Sequence, residues 1–146
     1  MNYRAMSPQK AVAYLNSLFA YGDECIYFNG VDNILPRNYT KEVMPLLNTP
    51  PHVTVFYEVK ADLNEEDIQR LGQARVNYIQ PGIEALATST LKLMKKGTTA
   101  FQNLRLLKHC VTHEVFPIWN ILIGFPGGGC EKSFVMRELG LADRLA

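Results

Sequence analysis

The chain has 146 residues, 47% hydrophobic and 20% charged, which is enough for one domain with a modest core and excludes global disorder. A formal net charge of +1 gives no electrostatic basis for binding nucleic acid or an anionic membrane. No apolar run approaches the ~20 residues of a membrane span, and MNYRAMSPQK at the start lacks a signal peptide's apolar core, so a cytoplasmic location is expected. Cys25, Cys110 and Cys130 stand far apart, and no pair has metal-motif spacing, which predicts reduced thiols rather than a disulfide framework.

Ser7-Pro8 has the composition of a helix start: Ser7 can cap, and Pro8 at the first helical position loses no needed donor. Ala11, Leu15 and Leu18 then recur at helical spacing, with Val12 and Phe19 widening the stripe, and Gly22 is the stop. CIYFNGV, residues 25–31, reads as a short strand ending in the polar pair Asp32-Asn33. After Pro36-Arg37-Asn38 breaks the chain, Thr40 can open a helix that buries Val43, Leu46 and Leu47, although Pro45 lies inside that pattern. HVTVFYEVK, His52–Lys60, is rich in β-branched and aromatic residues and forms the second strand. Glu58 and Lys60 at its end share a face.

Asn64 caps the next helix, and Glu65, Glu66 and Asp67 complement its N-terminal dipole. Val76–Gln80 is the third strand. It feeds the turn Pro81-Gly82, the carboxylate Glu84, and a helix with Leu91 and Met94 on one side and Lys92, Lys95 and Lys96 on the other. Thr98 or Thr99 opens another helix, in which Phe101, Leu104, Leu107 and Val111 predict the buried stripe. Ile118–Ile123 is the fourth strand, with Pro117 just before it and the loop Gly124-Phe125-Pro126-Gly127-Gly128-Gly129 directly after. Residues 130–146 read as a tail with weak helical character.

Alternation of helix and strand predicts an α/β fold with a parallel sheet, right-handed crossovers and both sheet faces covered. A whole eightfold barrel needs about 250 residues, so four strands suggest part of a barrel or a small open sheet. Ligands of parallel sheets bind beyond the strands' carboxyl ends. That rim carries Asp32, Asn33, Glu58, Lys60, Gln80, Glu84, Asn120 and the glycine loop. Plain structural roles compete at each: a surface ion pair for Glu58 and Lys60, a helix-start carboxylate for Glu84, a solvated helix face for the lysines. Lys96, beside Gly97, is the lysine best placed to reach an anion. GFPGGG lacks the Lys-Ser/Thr of a nucleotide-triphosphate loop and suits a tight strand exit better. His109 and His113 share a helix face, but a zinc site needs a third ligand that the spacing does not supply.

The runs YEVKADL, IQPGIEALATSTLKLMKKGTTAFQNLRLLKHC and WNILIGFPGG resemble the radical S-adenosylmethionine (SAM) enzymes, and within them the cobalamin-associated branch that matures ribosomally made peptides. YRAMSPQKAV is similar to the helix after that family's cluster loop, and VDNIL to the following strand end. The resemblance spans about residues 3–127. It implies a partial (β/α) barrel, about four strands of a (β/α)₆ core over residues 1–129, with 130–146 a divergent tail. It implies SAM and a [4Fe–4S] cluster as the parent family's cofactors, with cobalamin an option, and a peptide as the parent's substrate. The reaction it implies is reductive SAM cleavage to a 5′-deoxyadenosyl radical that abstracts hydrogen, with methylation a further outcome. By position it implies that Glu58, Lys60, Gln80, Gly82, Glu84, Lys96, Asn120 and Gly124 form the SAM-facing wall, with Gly82-Ile83-Glu84 matching the family's G-I-E-S signature.

Three departures stand out. No CxxxCxxC occurs, Ala85 replaces the signature serine, and Gly128-Gly129-Cys130 replaces the acid after G-F-P-G. A truncated or frameshifted reading frame is the expectation that accounts for both ends, and the chain alone is expected to be inactive. The alternative is a non-catalytic module whose unpaired strand edges join a partner chain or a second copy.

Overall fold

The computed structural model describes residues 5–31, 34–122 and 125–126. Ser7 caps the first helix, α1 (Pro8–Phe19), by accepting from the Lys10 N–H. Its inner stripe is Ala11, Val12, Leu15 and Phe19, and Leu18, expected inside, is exposed. Strand β1 (Tyr27–Gly30) follows. The next helix, α2 (Tyr39–Glu42), is a single turn, and a 3-10 turn over Met44–Leu46 takes the place of its continuation. Pro45 explains the break, since its ring crowds the preceding turn and it offers no N–H. Val43 and Met44 are consequently buried there, while Leu46 faces solvent.

Strand β2 (Thr54–Val59) leads to α3 (Glu65–Gln73), which opens with a reciprocal capping box between Asn64 and Asp67. Strand β3 (Tyr78–Pro81) leads through the Glu84 turn to α4 (Thr88–Leu93) and α5 (Ala100–Thr112). Thr99 and Gln102 form a second capping box at α5. Strand β4 is Phe116–Pro117, displaced toward the N-terminus from the predicted Ile118–Ile123. Phe116 and Ile118 donate their N–H groups to Asn77 and Ile79 of the β3 side. Pro117 falls between them, where an N–H would point away from β3, so the proline costs no ladder bond. Among the described residues only Ile121, by one parallel bridge to Glu84, continues the pairing.

Three helices end alike. After α3, α4 and α5, Arg75, Lys95 and Glu114 adopt positive φ (64°, 54° and 53°). The following N–H then bonds five residues back: Val76 to Leu71, Lys96 to Leu91, Val115 to Cys110. This is the Schellman geometry, here without its usual glycine. Val76 and Val115 are buried against the core after their turns. At the equivalent position of the middle unit stands Lys96, an exposed cation.

The four strands are all parallel in the order β1-β2-β3-β4. Sequential parallel pairing with right-handed crossovers places the helices on one face. Burial shows this directly. Val55, Tyr57, Val59 and Ile79 form one core with Ile68, Leu71, Leu106 and Cys110 of the helices. Alternate residues Tyr27, Tyr78 and Phe116 point the other way and are exposed. The expectation of two covered faces is therefore corrected: the α/β sheet is parallel, as in a partial (β/α) barrel, but one face lacks a layer among the described residues.

The stripe expected inside α5 is corrected as well. Phe101, Leu104 and Val111 are exposed, whereas Asn103, Leu106 and Cys110 are buried. The inner stripe has equally good helical spacing but contains an asparagine, so counting apolar residues selects the wrong face. Among the described residues no helix is long and apolar enough to cross a membrane.

Candidate functional site

The turn after β3 brings together Gly82, Glu84 and Lys96. Glu84 has φ +61°, a left-handed conformation that costs a residue with a Cβ about 1–2 kcal/mol. Its neighbours hold it there. The side-chain amide of Asn103 donates to the carbonyls of Ile83 (3.2 Å) and Ala85 (2.9 Å), one on each side of Glu84. Asn103 is fully buried. From the other flank, the Glu84 carbonyl accepts from Leu122 (2.8 Å). Unlike Arg75, Lys95 and Glu114, Glu84 does not end a helix, which makes its strained turn a candidate functional position.

The Glu84 carboxylate accepts from the Lys96 ammonium at 3.3 Å, with both side chains about one-third exposed or less (27% and 32%). The α4 Schellman turn aims Lys96 back over β3. Gly82 lies beside the pair: a Cβ there would stand 3.3 Å from Lys96 Nζ and 3.8 Å from Glu84 Oε1. The reading of Glu84 as a helix-start carboxylate is corrected, because it lies before Thr88, where α4 begins, and in a β-bridge.

Of the remaining predicted residues, Glu58, Lys60, Gln80 and Asn120 stand at or near strand ends, and among the described residues none of them bonds to this cluster. Glu58 and Gln80 are register partners on the uncovered face. Among the described residues neither Glu58 nor Lys60 makes an ion pair, which corrects the idea that they pair with each other. Lys60 lines a pocket next to β2. Asn120 is exposed, one residue before the Ile121 bridge. Asp32, Asn33, Gly124 and Gly127–Gly129 lie outside the described residues.

Sequence reasoning missed Asn103. A polar residue at helical spacing with Leu106 and Cys110 was its only signal. Glu65 was missed too, as the group facing both histidines: His109 Nδ1 lies 3.6 Å and His113 Nε2 3.4 Å from its carboxylate. Among the described residues no group of three or more His, Cys, Asp and Glu is arranged to hold a metal ion.

The model of one protein family, the Radical SAM superfamily, matches residues 1–129. The chain belongs to the Radical SAM superfamily. Neither the curated proteins nor the solved structures gave a match. Radical SAM enzymes use SAM and an iron–sulfur cluster, so the residues present can be tested against both groups.

The cysteines do not fit a cluster. Cys25 is exposed at the amino end of β1, with its thiol directed to the Tyr27 carbonyl. Cys110 is buried inside α5, where burial pushes its thiol up to about 12 against a smaller lowering by a backbone hydrogen bond. A protonated, buried thiol is a poor metal ligand. Cys130 lies outside the described residues. The residues around Glu84, by contrast, offer charges complementary to those of SAM. A carboxylate and an ammonium lie beside a glycine opening, and SAM carries an ammonium, a carboxylate and ribose hydroxyls.

Proposed function

We infer that these residues form the SAM-binding wall of a radical SAM core whose complete form modifies a ribosomally made peptide, with cobalamin-dependent methylation as its further reaction. The observation that carries this reading is the Glu84–Lys96 pair at 3.3 Å over Gly82. Bound SAM supplies the hydrogen-abstracting group in such enzymes. This chain's part is to bind and orient it. The Glu84 carboxylate accepts from an ammonium or a ribose hydroxyl, and Lys96 donates to a carboxylate. Asn103 fixes the Glu84 turn, so that no reorganisation is needed on binding. Glu58, Gln80 and Asn120 would extend the wall along the rim, with Gly124 assigned to it by the family resemblance alone. The 146 residues alone do not cleave SAM, because no CxxxCxxC is present to hold the reducing cluster.

A second reading is favoured by the uncovered face, where Tyr27 (45% exposed), Tyr78 (37%) and Phe116 (58%) have no layer against them among the described residues. In it the chain is a non-catalytic module that pairs with a partner chain. Two measurements separate the readings. Equilibrium dialysis with SAM should show saturable binding if the first holds, and no retention would favour the second. Anaerobic reconstitution with iron and sulfide should leave no cluster absorbance after desalting and no SAM cleavage. A stable cluster chromophore would overturn the claim of inactivity.

A further inference from the structure

Beyond β2, away from the Glu84 turn, lies a pocket of about 420 Å³, within the range of small-molecule sites. Its walls are two strand-exit loops. The loop after β1 turns back beside β2, with the Leu35 N–H donating to the Glu58 carbonyl at 2.8 Å. The loop after β2 supplies the other wall. Ile34, Leu35, Val59 and Leu63 make an apolar lining. Leu35, Val59 and Leu63 are buried, so this lining is part of the core rather than a mobile rim.

Three charges stand at the mouth: Arg37, Asp62 and Lys60. Arg37 and Asp62 are matched to each other. Arg37 Nη1 donates to Asp62 Oδ2 at 2.7 Å, and Nη2 reaches the Asp62 carbonyl at 3.5 Å. That bidentate contact ties one wall to the other. Behind it, the Thr40 hydroxyl lies 2.9 Å from the Arg37 carbonyl and 2.8 Å from buried Asp67. Its one proton goes to the carboxylate, the stronger acceptor. Lys60 is the charge left over. Among the described residues its ammonium has no hydrogen bond or ion pair, although the chain supplies acids at Glu58 and Asp62 close by in sequence.

We propose that this pocket binds the carboxylate of a ligand with a short branched aliphatic body, Lys60 receiving the charge and the lining receiving the side chain. A single unmatched cation suits a monoanion. A phosphate dianion would need more donors, and Asp62 at the mouth would repel it. The site is separate from the SAM reading and does not depend on it. It assigns Lys60 to this pocket instead of to the SAM wall. The carboxylate has two sources, a free small acid or the C-terminus of a peptide.

The test follows backbone amide shifts of the isotope-labelled full chain with three probes: N-acetyl-L-leucine, N-acetyl-L-leucinamide, and acetyl-Ala-Ala-Leu with a free carboxylate. Both acids should give saturable shifts at Leu35, Arg37, Lys60 and Leu63, and the amide should not. Tighter binding of the peptide acid assigns the site to a peptide end, and equal binding assigns it to a small acid. Lys60→Gln should weaken the acids about tenfold, the loss expected for a charge-assisted hydrogen bond, while Lys60→Arg retains binding. Lys60 is exposed, so the variants keep the fold, and their spectra report it directly. Equal shifts from acid and amide, no saturable shift, or unchanged affinity in Lys60→Gln would overturn the proposal. A SAM titration read in the same spectra moves Gly82–Glu84 and Lys96, so the two sites fail or hold separately.

Discussion

At Glu84, local preference and placement conflict, and Asn103 settles the conflict. Two of its N–H groups hold the carbonyls on either side of a left-handed glutamate. Removing the amide leaves two buried carbonyls without those donors. Asn103→Ala should therefore destabilise the fold by about 2–3 kcal/mol in urea unfolding. It should also shift the amides of residues 83–86 in the folded protein. A loss below ~0.5 kcal/mol with those amides unmoved would show that the clamp does not act. Cys110 gives a pH prediction at the same scale. Its unfolded thiol ionises near 9.0, and the folded one keeps its proton up to about 12. Between these values the unfolded state binds fewer protons. This contribution to stability is whole below pH 9 and declines as pH rises through the window, by up to ~1.4 kcal/mol per pH unit. Urea unfolding of Cys110→Ala should lack that component of the decline. Parallel pH profiles for the two proteins would contradict it.

At the scale of elements, the helix starts were legible because their chemistry is local. Ser7, Asn64 and Thr99 cap as their side chains and spacing imply. Helix ends were not legible, since the three Schellman turns carry Arg75, Lys95 and Glu114 in place of the glycine that would mark them. The face of α5 was misread because Asn103 earns its burial from carbonyls on another element, which helical periodicity does not register. Strand β4 was placed too late for a similar reason: the acceptors Asn77 and Ile79 lie across the sheet and fix which side of Pro117 faces a partner. The Schellman turns yield a prediction of their own. Lys95 is exposed and at positive φ, and its side chain has no partner among the described residues. Lys95→Gly should raise stability by on the order of 0.5–1 kcal/mol, the left-handed penalty removed minus glycine's greater chain entropy. A destabilised variant in urea unfolding would contradict the account of that turn.

For the whole molecule, the parallel order was legible from alternation of strands and helices, but the uncovered face was not. Periodicity shows that a residue alternates; it does not show whether a second layer exists. On that face Tyr78 stacks on Phe116 at 5.4 Å and meets Tyr27 edge-on at 6.2 Å, forming an exposed aromatic row. Such a row favours self-association. Sedimentation should show dimer growing with concentration, and Tyr78→Lys with Phe116→Lys should restore monomer. A monomer throughout the range would contradict this. Gly82, Glu84 and Lys96 were singled out in the sequence by resemblance and position, and the structure brings the three together, while the supporting Asn103 needed the three-dimensional packing of α5.

We propose that the Glu84–Lys96 pair receives SAM. Calorimetric titration of SAM into the full chain tests it most directly, alongside Glu84→Gln and Lys96→Met. Each substitution removes one charge from a partly exposed pair without altering the buried core. The account predicts saturable binding to the unaltered chain, weakened about tenfold or more by either substitution. SAM binding with the same affinity in all three proteins would contradict it.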